Sequence, residues 1–159
     1  MTLQRSTLDW LMEIISLVAL VASWAFVAES WSTLPDVVPT HFGITGAPNG
    51  WGSRQAMWLV PGMGLLLYIV LTVAARYPRF VNLPFRVDRD APEVRRIIVR
   101  ILASAKAVTM LLFVYIVHGQ IQSAMNRTDS MGIALLPLFL VATILPLAVY
   151  MKQLRRYKQ

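Results

Sequence analysis

Hydrophobic residues are gathered along the chain into four long runs that are separated by short polar stretches. The runs extend from about Leu8 to Ala28, Met57 to Ala75, Ile101 to Ile121 and Met131 to Tyr150. A helix needs roughly 20 apolar residues to cross a bilayer, and each run is long enough. The pattern therefore predicts four transmembrane helices at about 8–30, 55–76, 92–123 and 131–151, with a polar loop at 31–54 between the first two.

These runs are apolar on every face, as in "GLLLYIVLTVAA" and "VTMLLFVYIV". A membrane barrel would instead alternate with a period of two, and a soluble helical bundle would leave a polar face on each helix. Hydrophobic residues make up 57% of the 159 positions, and there is no cysteine. We therefore expect an all-α integral membrane protein without disulfides, in which residues 1–159 form a single four-helix membrane domain and the first helix is an uncleaved anchor.

Basic residues are distributed unevenly between the polar segments. Of the 15 lysines and arginines, one precedes the first span, seven lie between the second and third, and four follow the fourth, whereas the other two loops hold one each. The positive-inside rule then places both termini in the cytoplasm and the 31–54 loop outside, in a bacterial cytoplasmic (inner) membrane. We expect the basic segments to contact anionic lipid headgroups. No aromatic interleaving supports nucleic-acid binding.

The loop between the first two spans reads "LPDVVPTHFGITGAPNGWGSR" and is rich in residues that restrict the backbone. Pro35 and Pro39 push Leu34 and Val38 toward extended backbone, and the β-branched and aromatic residues of "VVPTHF" predict a short extended piece. The "APNG" stretch predicts a turn, with Asn49 and Gly50 at the left-handed positions. Ser53 is expected to cap the second helix. The loop is therefore predicted to be a compact, turn-rich extracytoplasmic segment, with Phe42 and Trp51 as its apolar anchors.

This loop resembles the signature of a bacterial membrane domain family of unknown function, which also forms the N-terminal part of SdpI-type immunity proteins. Two positions depart from the family pattern, since Gly43 replaces the usual Asn or Asp and Asn49 replaces the usual Asp. The resemblance implies a four-helix bundle with this loop outside, and SdpI-type proteins protect cells from a secreted peptide toxin. The candidate site residues of the loop are drawn from those that match the signature, together with Asp36. They are Pro35, Asp36, Pro39, His41, Phe42, Gly46, Asn49, Trp51, Ser53 and Arg54.

A second group of polar residues is expected near the same end of the bundle. It joins Asp36 and His41 to Glu29, His118 and Gln120. Two histidines and two carboxylates are donors that zinc or copper accepts, but the chain has no short-spaced ligand pair such as HxH. We therefore predict no metal and no cofactor, and a His41 that holds turns of the loop together. A metal ligand and a direct partner contact are the alternatives.

Glu13 and Lys106 are charged residues that lie inside the predicted spans. Charges within a membrane usually face the bundle interior and pair, so a structural ion pair is the first interpretation. A proton or ion relay is the alternative. It would need more ionisable groups through the middle of the bundle, where Tyr68 is nearly the only candidate.

The motifs of common enzymes are missing from the sequence, which has no nucleophile elbow, phosphate loop or paired-carboxylate motif. We therefore predict a non-enzymatic protein without catalytic residues. The leading hypothesis is a receptor- or immunity-like protein whose outer loop engages an extracytoplasmic peptide or protein. The alternative is an accessory subunit of a larger membrane transport or export complex, and a metal-dependent membrane enzyme is a distant third.

Overall fold

The computed structural model of the protein describes residues 6–158, apart from the side chain of residue 135. Within these residues the chain forms four α-helices and one two-stranded antiparallel sheet. The elements in chain order are α1 (Thr7–Ser30), β1 (Val37–Phe42), β2 (Pro48–Ser53), α2 (Leu59–Arg76), α3 (Pro92–Ala124) and α4 (Leu135–Leu154). Short 3₁₀ helices cover Arg54–Trp58, Pro78–Phe80 and Arg155–Tyr157.

The four predicted helices are confirmed, and each is long and apolar enough to cross a membrane. Large apolar side chains remain exposed along the outward faces of α1, α2 and α4, among them Leu17, Leu66 and Leu138. Soluble monomers rarely leave contiguous apolar surface of this extent open to water. The four helices therefore suit a multi-pass membrane protein.

Local sequence explains where α1 and α3 begin. The Ser6 hydroxyl accepts a hydrogen bond from the backbone amide of Asp9, and the Asp9 carboxylate accepts one from the backbone amide of Ser6 at 2.7 Å. This reciprocal capping box satisfies amides that have no partner within the helix. Pro92 opens α3, at a position where its missing N–H would have been unpaired in any case.

Of the other two helices, α4 begins later than the sequence predicted, whereas the second span begins near the predicted position with the 3₁₀ turn Arg54–Trp58. α2 starts at Leu59 after a 3₁₀ turn, and the side chain of Ser53 makes no capping hydrogen bond. Pro61 consequently lies in the first turn of α2 rather than in its interior, where it would have bent the helix. α4 starts at Leu135, because Gly132 adopts a φ of 87° that a right-handed helix cannot contain.

The extended backbone predicted for "VVPTHF" forms β1, whereas the all-α prediction missed β2 and the β-hairpin that the two strands make between α1 and α2. β1 pairs with β2 from Val37 opposite Ser53 to Phe42 opposite Pro48. The predicted "APNG" turn is wrong, because Pro48, Asn49 and Gly50 lie in β2 and the chain reverses at 43–47 instead. There Gly46 takes a φ of 80°, whereas Asn49 is not in the left-handed region.

α3 is the centre of the bundle and packs against α1, α2 and α4. The core falls into three groups along it. At one end, which we call the hairpin end, the group is Val27, Leu34, Val38, Met57, Val117, Ile121 and Ala124. The middle group is Ala19, Leu20 and Met110. At the opposite end, which we call the basic end, it is Val87, Val94, Ile97, Ile98 and Leu154.

Candidate functional site

The hairpin is packed firmly onto the ends of α1 and α3. Leu34 and Val38 point into the core, where they meet Val27 of α1 and Val117 of α3. Val38 and Val117 are completely buried. Burying side chains of this size stabilises the contact by about 1.5–3 kcal/mol each. The segment is therefore a folded cap on the bundle rather than a flexible linker.

Arg54 joins the start of the hairpin to its end. Its Nη1 donates hydrogen bonds to the carbonyl oxygens of Trp31 at 3.2 Å and Leu34 at 3.4 Å, just beyond the last turn of α1. Its guanidinium also lies 4.9 Å from the centre of the Trp31 ring, and its Nη2 is 3.7 Å from a carboxylate oxygen of Asp36. A guanidinium can satisfy several acceptors at once. Arg54 therefore acts as a clamp between α1 and the hairpin.

The turn of the hairpin is fixed to the connection between α3 and α4. The backbone amide of Met131 donates to the carbonyl oxygen of Gly46 at 2.9 Å, and the Ser130 hydroxyl donates to the carbonyl oxygen of Thr45 at 2.8 Å. A Cβ on Gly46 would lie 2.7 Å from the Ser130 hydroxyl oxygen and 2.8 Å from the amide nitrogen of Gly132. Only glycine fits this close approach of two loops.

The free face of the hairpin presents apolar side chains. Val37 is 59% exposed, Ile44 at the turn is 80% exposed and Trp51 is 58% exposed. Trp51 was expected to anchor the loop, but the anchors are Leu34 and Val38. Pro39, which lies opposite Trp51 in the sheet, is fully buried, whereas the Trp51 ring remains exposed.

His41 lies on the surface of the hairpin rather than inside it. Its Nδ1 is hydrogen-bonded to the side-chain oxygen of Asn49 on the opposite strand. A Cβ on Gly50, its partner in the sheet, would approach the Cβ of His41 to 2.9 Å, so the strands come close here. His41 thus links β1 to β2 through one hydrogen bond.

The second polar group, which comprises Glu29, Asp36, His41, His118 and Gln120, does not assemble into one site. His118 packs against the ring of Phe26 on α1, with 5.8 Å between ring centres, and Gln120 is buried and donates to the Pro39 carbonyl oxygen at 3.3 Å. Glu29 is exposed. Among residues 6–158, no three His, Cys, Asp or Glu side chains come together as a metal site would require.

The remaining loop candidates divide by burial. Pro39 and Gly46 are buried, whereas Phe42 and Arg54 are partly buried. The exposed candidates are Pro35, Asp36, His41, Asn49, Trp51 and Ser53. The buried ones hold the hairpin in shape, and only the exposed ones are placed to touch another molecule.

Glu13 and Lys106 meet inside the bundle. Lys106 is only 2% exposed, and its ammonium nitrogen lies 2.8 Å from each carboxylate oxygen of Glu13. It also donates to the hydroxyl of Thr72 at 2.9 Å and lies 4.5 Å from the centre of the Tyr68 ring. The Tyr68 hydroxyl donates to Glu13 at 2.6 Å. Every strong donor and acceptor of the pair is therefore satisfied within α1, α2 and α3.

A second ion pair lies one turn nearer the basic end. The Nε of Arg100 is 3.4 Å from a carboxylate oxygen of Asp9. A small cavity of about 10 Å³ lies beside both pairs, and its lining includes Asp9, Glu13 and Lys106. From the pair toward the hairpin end, the buried polar side chains of α1 are Ser16 and Ser23, whose hydroxyls donate to carbonyls of their own helix. This arrangement supports a structural pair rather than a relay.

Sequence reasoning missed the contacts between segments that are distant in the chain. Thr72 and Ser130 carry no motif, and their roles follow only from the neighbours that the fold gives them. Position offered one signal, because Thr72 lies four residues after Tyr68 and so on the same face of α2. Nothing in the sequence pointed to Ser130.

Comparison with known proteins gives a family resemblance over part of the chain. Residues 18–65 match the model of a family described as a domain of unknown function (DUF1648). This segment contains the second half of α1, the whole hairpin and the first turns of α2. No solved structure matches. An uncharacterized protein of Archaeoglobus fulgidus is 36% identical over 78 residues, and that match covers 44% of this chain and 43% of the relative's length.

Proposed function

We propose that the protein is a non-enzymatic multi-pass membrane protein of the receptor or immunity type. In this proposal the free face of the hairpin engages a peptide or protein outside the cytoplasm. The bundle holds the hairpin in place, and the basic end meets the cytoplasm and the anionic inner leaflet.

The observation that carries the proposal is a rigidly held hairpin with an apolar exposed face. Contacts to α1, to α3 and to the α3–α4 connection fix its shape. Its free face nevertheless exposes Val37, Ile44 and Trp51. Burial of these side chains in the core would have been more favourable for folding alone. A preorganised surface loses little conformational entropy on binding, and exposed tryptophans often dominate binding energy in interfaces.

The orientation follows from the positive charges. The basic end carries the seven basic residues between the second and third spans and the four after the fourth, and the hairpin end carries Arg54 and Arg127. This asymmetry supports a hairpin that faces away from the cytoplasm. A cysteine that replaces the exposed Thr45 should react with an impermeant thiol reagent in intact cells, once any outer membrane is permeabilised. A cysteine that replaces Asn82 should react only after lysis. The reverse result would refute the orientation and every outer-surface role of the hairpin.

The binding role is tested by photo-crosslinking in living cells. A photoreactive amino acid replaces Trp51, and a control variant carries it at Asp129, an exposed residue of the α3–α4 connection at the same end. The proposal expects a product with a peptide or protein from outside the cytoplasm at Trp51, and not at Asp129. A Trp51 variant that reacts only with lipid would show that the face lies on the bilayer and would refute the proposal.

The second candidate function is an accessory subunit of a larger membrane complex. Helix α4 supports this alternative, because no residue in the apolar part of the helix is buried within the protein. A partner in the membrane could therefore pack against it. Copurification in mild detergent separates the two functions. A stoichiometric integral membrane partner that reacts with photoreactive residues on α4, and not with those on the hairpin, would favour the subunit.

A further inference from the structure

A basic pocket lies at the basic end, between the end of α2 and the beginning of α3. It has a volume of about 300 Å³ and is lined by Arg76, Tyr77, Pro78, Arg79, Asp90 and Arg95. Three arginines face one carboxylate, so the lining carries an excess of positive charge. We call this the arginine pocket.

The positive charges of the pocket are not neutralised by the protein. Within residues 6–158, the guanidinium groups of Arg76 and Arg95 make no hydrogen bond or ion pair. Arg79 is held in position, since its guanidinium lies 4.8 Å from the centre of the Phe80 ring and its carbonyl accepts a hydrogen bond of 2.7 Å from Arg89. The pocket therefore offers donors that are available to an anion.

The position of the pocket matches the level of lipid headgroups. Arg76 is the last residue of α2, and Arg95 lies in the first turns of α3, so both sit where an apolar span ends. Tyr77 and Phe80 are exposed beside them, with 6.5 Å between their ring centres. Aromatic residues of this kind are enriched at membrane–water interfaces.

An apolar surface continues from the pocket along α2. Leu66, Ile69, Val70 and Val73 are all exposed. Their spacing of three and four residues puts them on one face of the helix, which leads toward Tyr77 at the pocket. A molecule with a charged head in the pocket could lay a hydrocarbon chain against this face.

We propose that the arginine pocket binds the phosphate of an anionic phospholipid, with an acyl chain against the exposed face of α2. Guanidinium groups bind phosphate oxygens through paired, charge-assisted hydrogen bonds. The cytoplasmic leaflet supplies anionic lipid at this depth. The proposal rests on insertion of α2 and α3 in a membrane and on the proposed orientation, which puts the basic end at the cytoplasmic leaflet. It does not depend on what the hairpin binds, so either proposal can fail while the other stands.

The test is a lipid titration of the purified protein in detergent, followed by native mass spectrometry. Dioleoylphosphatidylglycerol is compared with dioleoylphosphatidylcholine, which carries the same chains and a neutral headgroup. The pocket variant is Arg76→Gln/Arg79→Gln/Arg95→Gln. The control variant, Lys152→Gln/Arg155→Gln/Arg156→Gln, loses the same three charges from exposed residues at the same end.

We expect phosphatidylglycerol to bind the natural protein at least tenfold more tightly than phosphatidylcholine. The pocket variant should weaken phosphatidylglycerol binding about a hundredfold, roughly fivefold per arginine. The control variant should change it less than about threefold, because its three charges lie outside the pocket and are screened by solvent and salt. Equal losses in the two variants would show general attraction to positive charge and would overturn the pocket.

Two further arms identify the chemistry of the ligand. If the glutamine variant fails to fold, Arg→Lys at the same three positions keeps the charge but removes the planar donors. It should still lose about tenfold, because lysine binds phosphate through a single point charge. Inorganic phosphate at millimolar concentration should not displace the lipid. Displacement would keep the phosphate site but overturn its assignment to a lipid.

Discussion

Glu13→Gln is expected to destabilise the bundle more than Lys106→Met, although both changes break the same ion pair. Lys106 is almost completely buried, and two of its three hydrogen-bond acceptors are the carboxylate oxygens of Glu13. Glu13 is less confined, since its side chain is 21% exposed and it keeps the hydrogen bond from the Tyr68 hydroxyl. The charge left behind is therefore harder to accommodate when Glu13 is the residue removed.

The expected magnitudes follow from this asymmetry. Glu13→Gln leaves a buried ammonium with a neutral partner and should cost about 3–4 kcal/mol in the free energy of unfolding. Lys106→Met leaves a carboxylate that can take up a proton, and should cost about 1–2 kcal/mol. The double variant leaves no unpaired charge and should cost about 1–2 kcal/mol. The coupling energy between the two residues is then about 2–5 kcal/mol.

The measurement is reversible unfolding by sodium dodecyl sulfate in mixed micelles for the natural protein and the three variants. The matched control is the pair of Asp9 and Arg100, which is one turn away and whose arginine side chain is 36% exposed. Its double-mutant cycle should give a coupling of less than about 1 kcal/mol. Additive losses at Glu13 and Lys106, or a larger loss for Lys106→Met than for Glu13→Gln, would refute the reasoning.

Three other changes should be measurable in the same unfolding assay. Gly46→Ala should cost about 2–4 kcal/mol, because Gly46 has a positive φ and a Cβ there would clash with the α3–α4 connection. Gly132→Ala should cost about 1 kcal/mol, because Gly132 has a similar φ but open space around it. Equal losses would show that the clash is absent. Arg54→Met should cost about 2–3 kcal/mol because two carbonyl oxygens lose their donor. His41→Ala should cost less than about 0.5 kcal/mol because its ring is exposed. The opposite order would make His41 the residue that holds the loop. Gly119→Ala should cost about 1–3 kcal/mol, since a Cβ there would lie 2.8 Å from the side chain of Met131; no loss would mean that this methionine can move aside.

The sequence by itself determined the helices and one of their contacts. Four apolar runs of sufficient length form helices because backbone groups in an apolar environment must find partners within the segment. Ser6 and Asp9 specify the start of α1, since both halves of the capping box lie within four residues. The contact of Glu13 with Lys106 was also accessible, because two opposite charges inside a bundle are costly unless they meet.

Tertiary structure decided which loop residues are buried and where the chain turns. "APNG" is a turn sequence taken alone, but pairing with β1 extends Asn49 and Gly50 into a strand. The turn moves to Gly46, where hydrogen bonds from the α3–α4 connection, some 85 residues away, hold it. No local sequence pattern carries information about such a distant partner. The free-energy preference of four residues for a turn is also small beside several hydrogen bonds and a buried contact.

The same distinction separates His41 from Arg54. The sequence pointed to His41 as the residue that holds the turns of the loop together, and it gave no such role to Arg54. The fold places His41 on the outer face of the hairpin and Arg54 beside the free carbonyls at the end of α1. Which of them stabilises the loop depends on the distance between segments that only packing brings together, and that distance is set by the core around Leu34 and Val38 rather than by either residue.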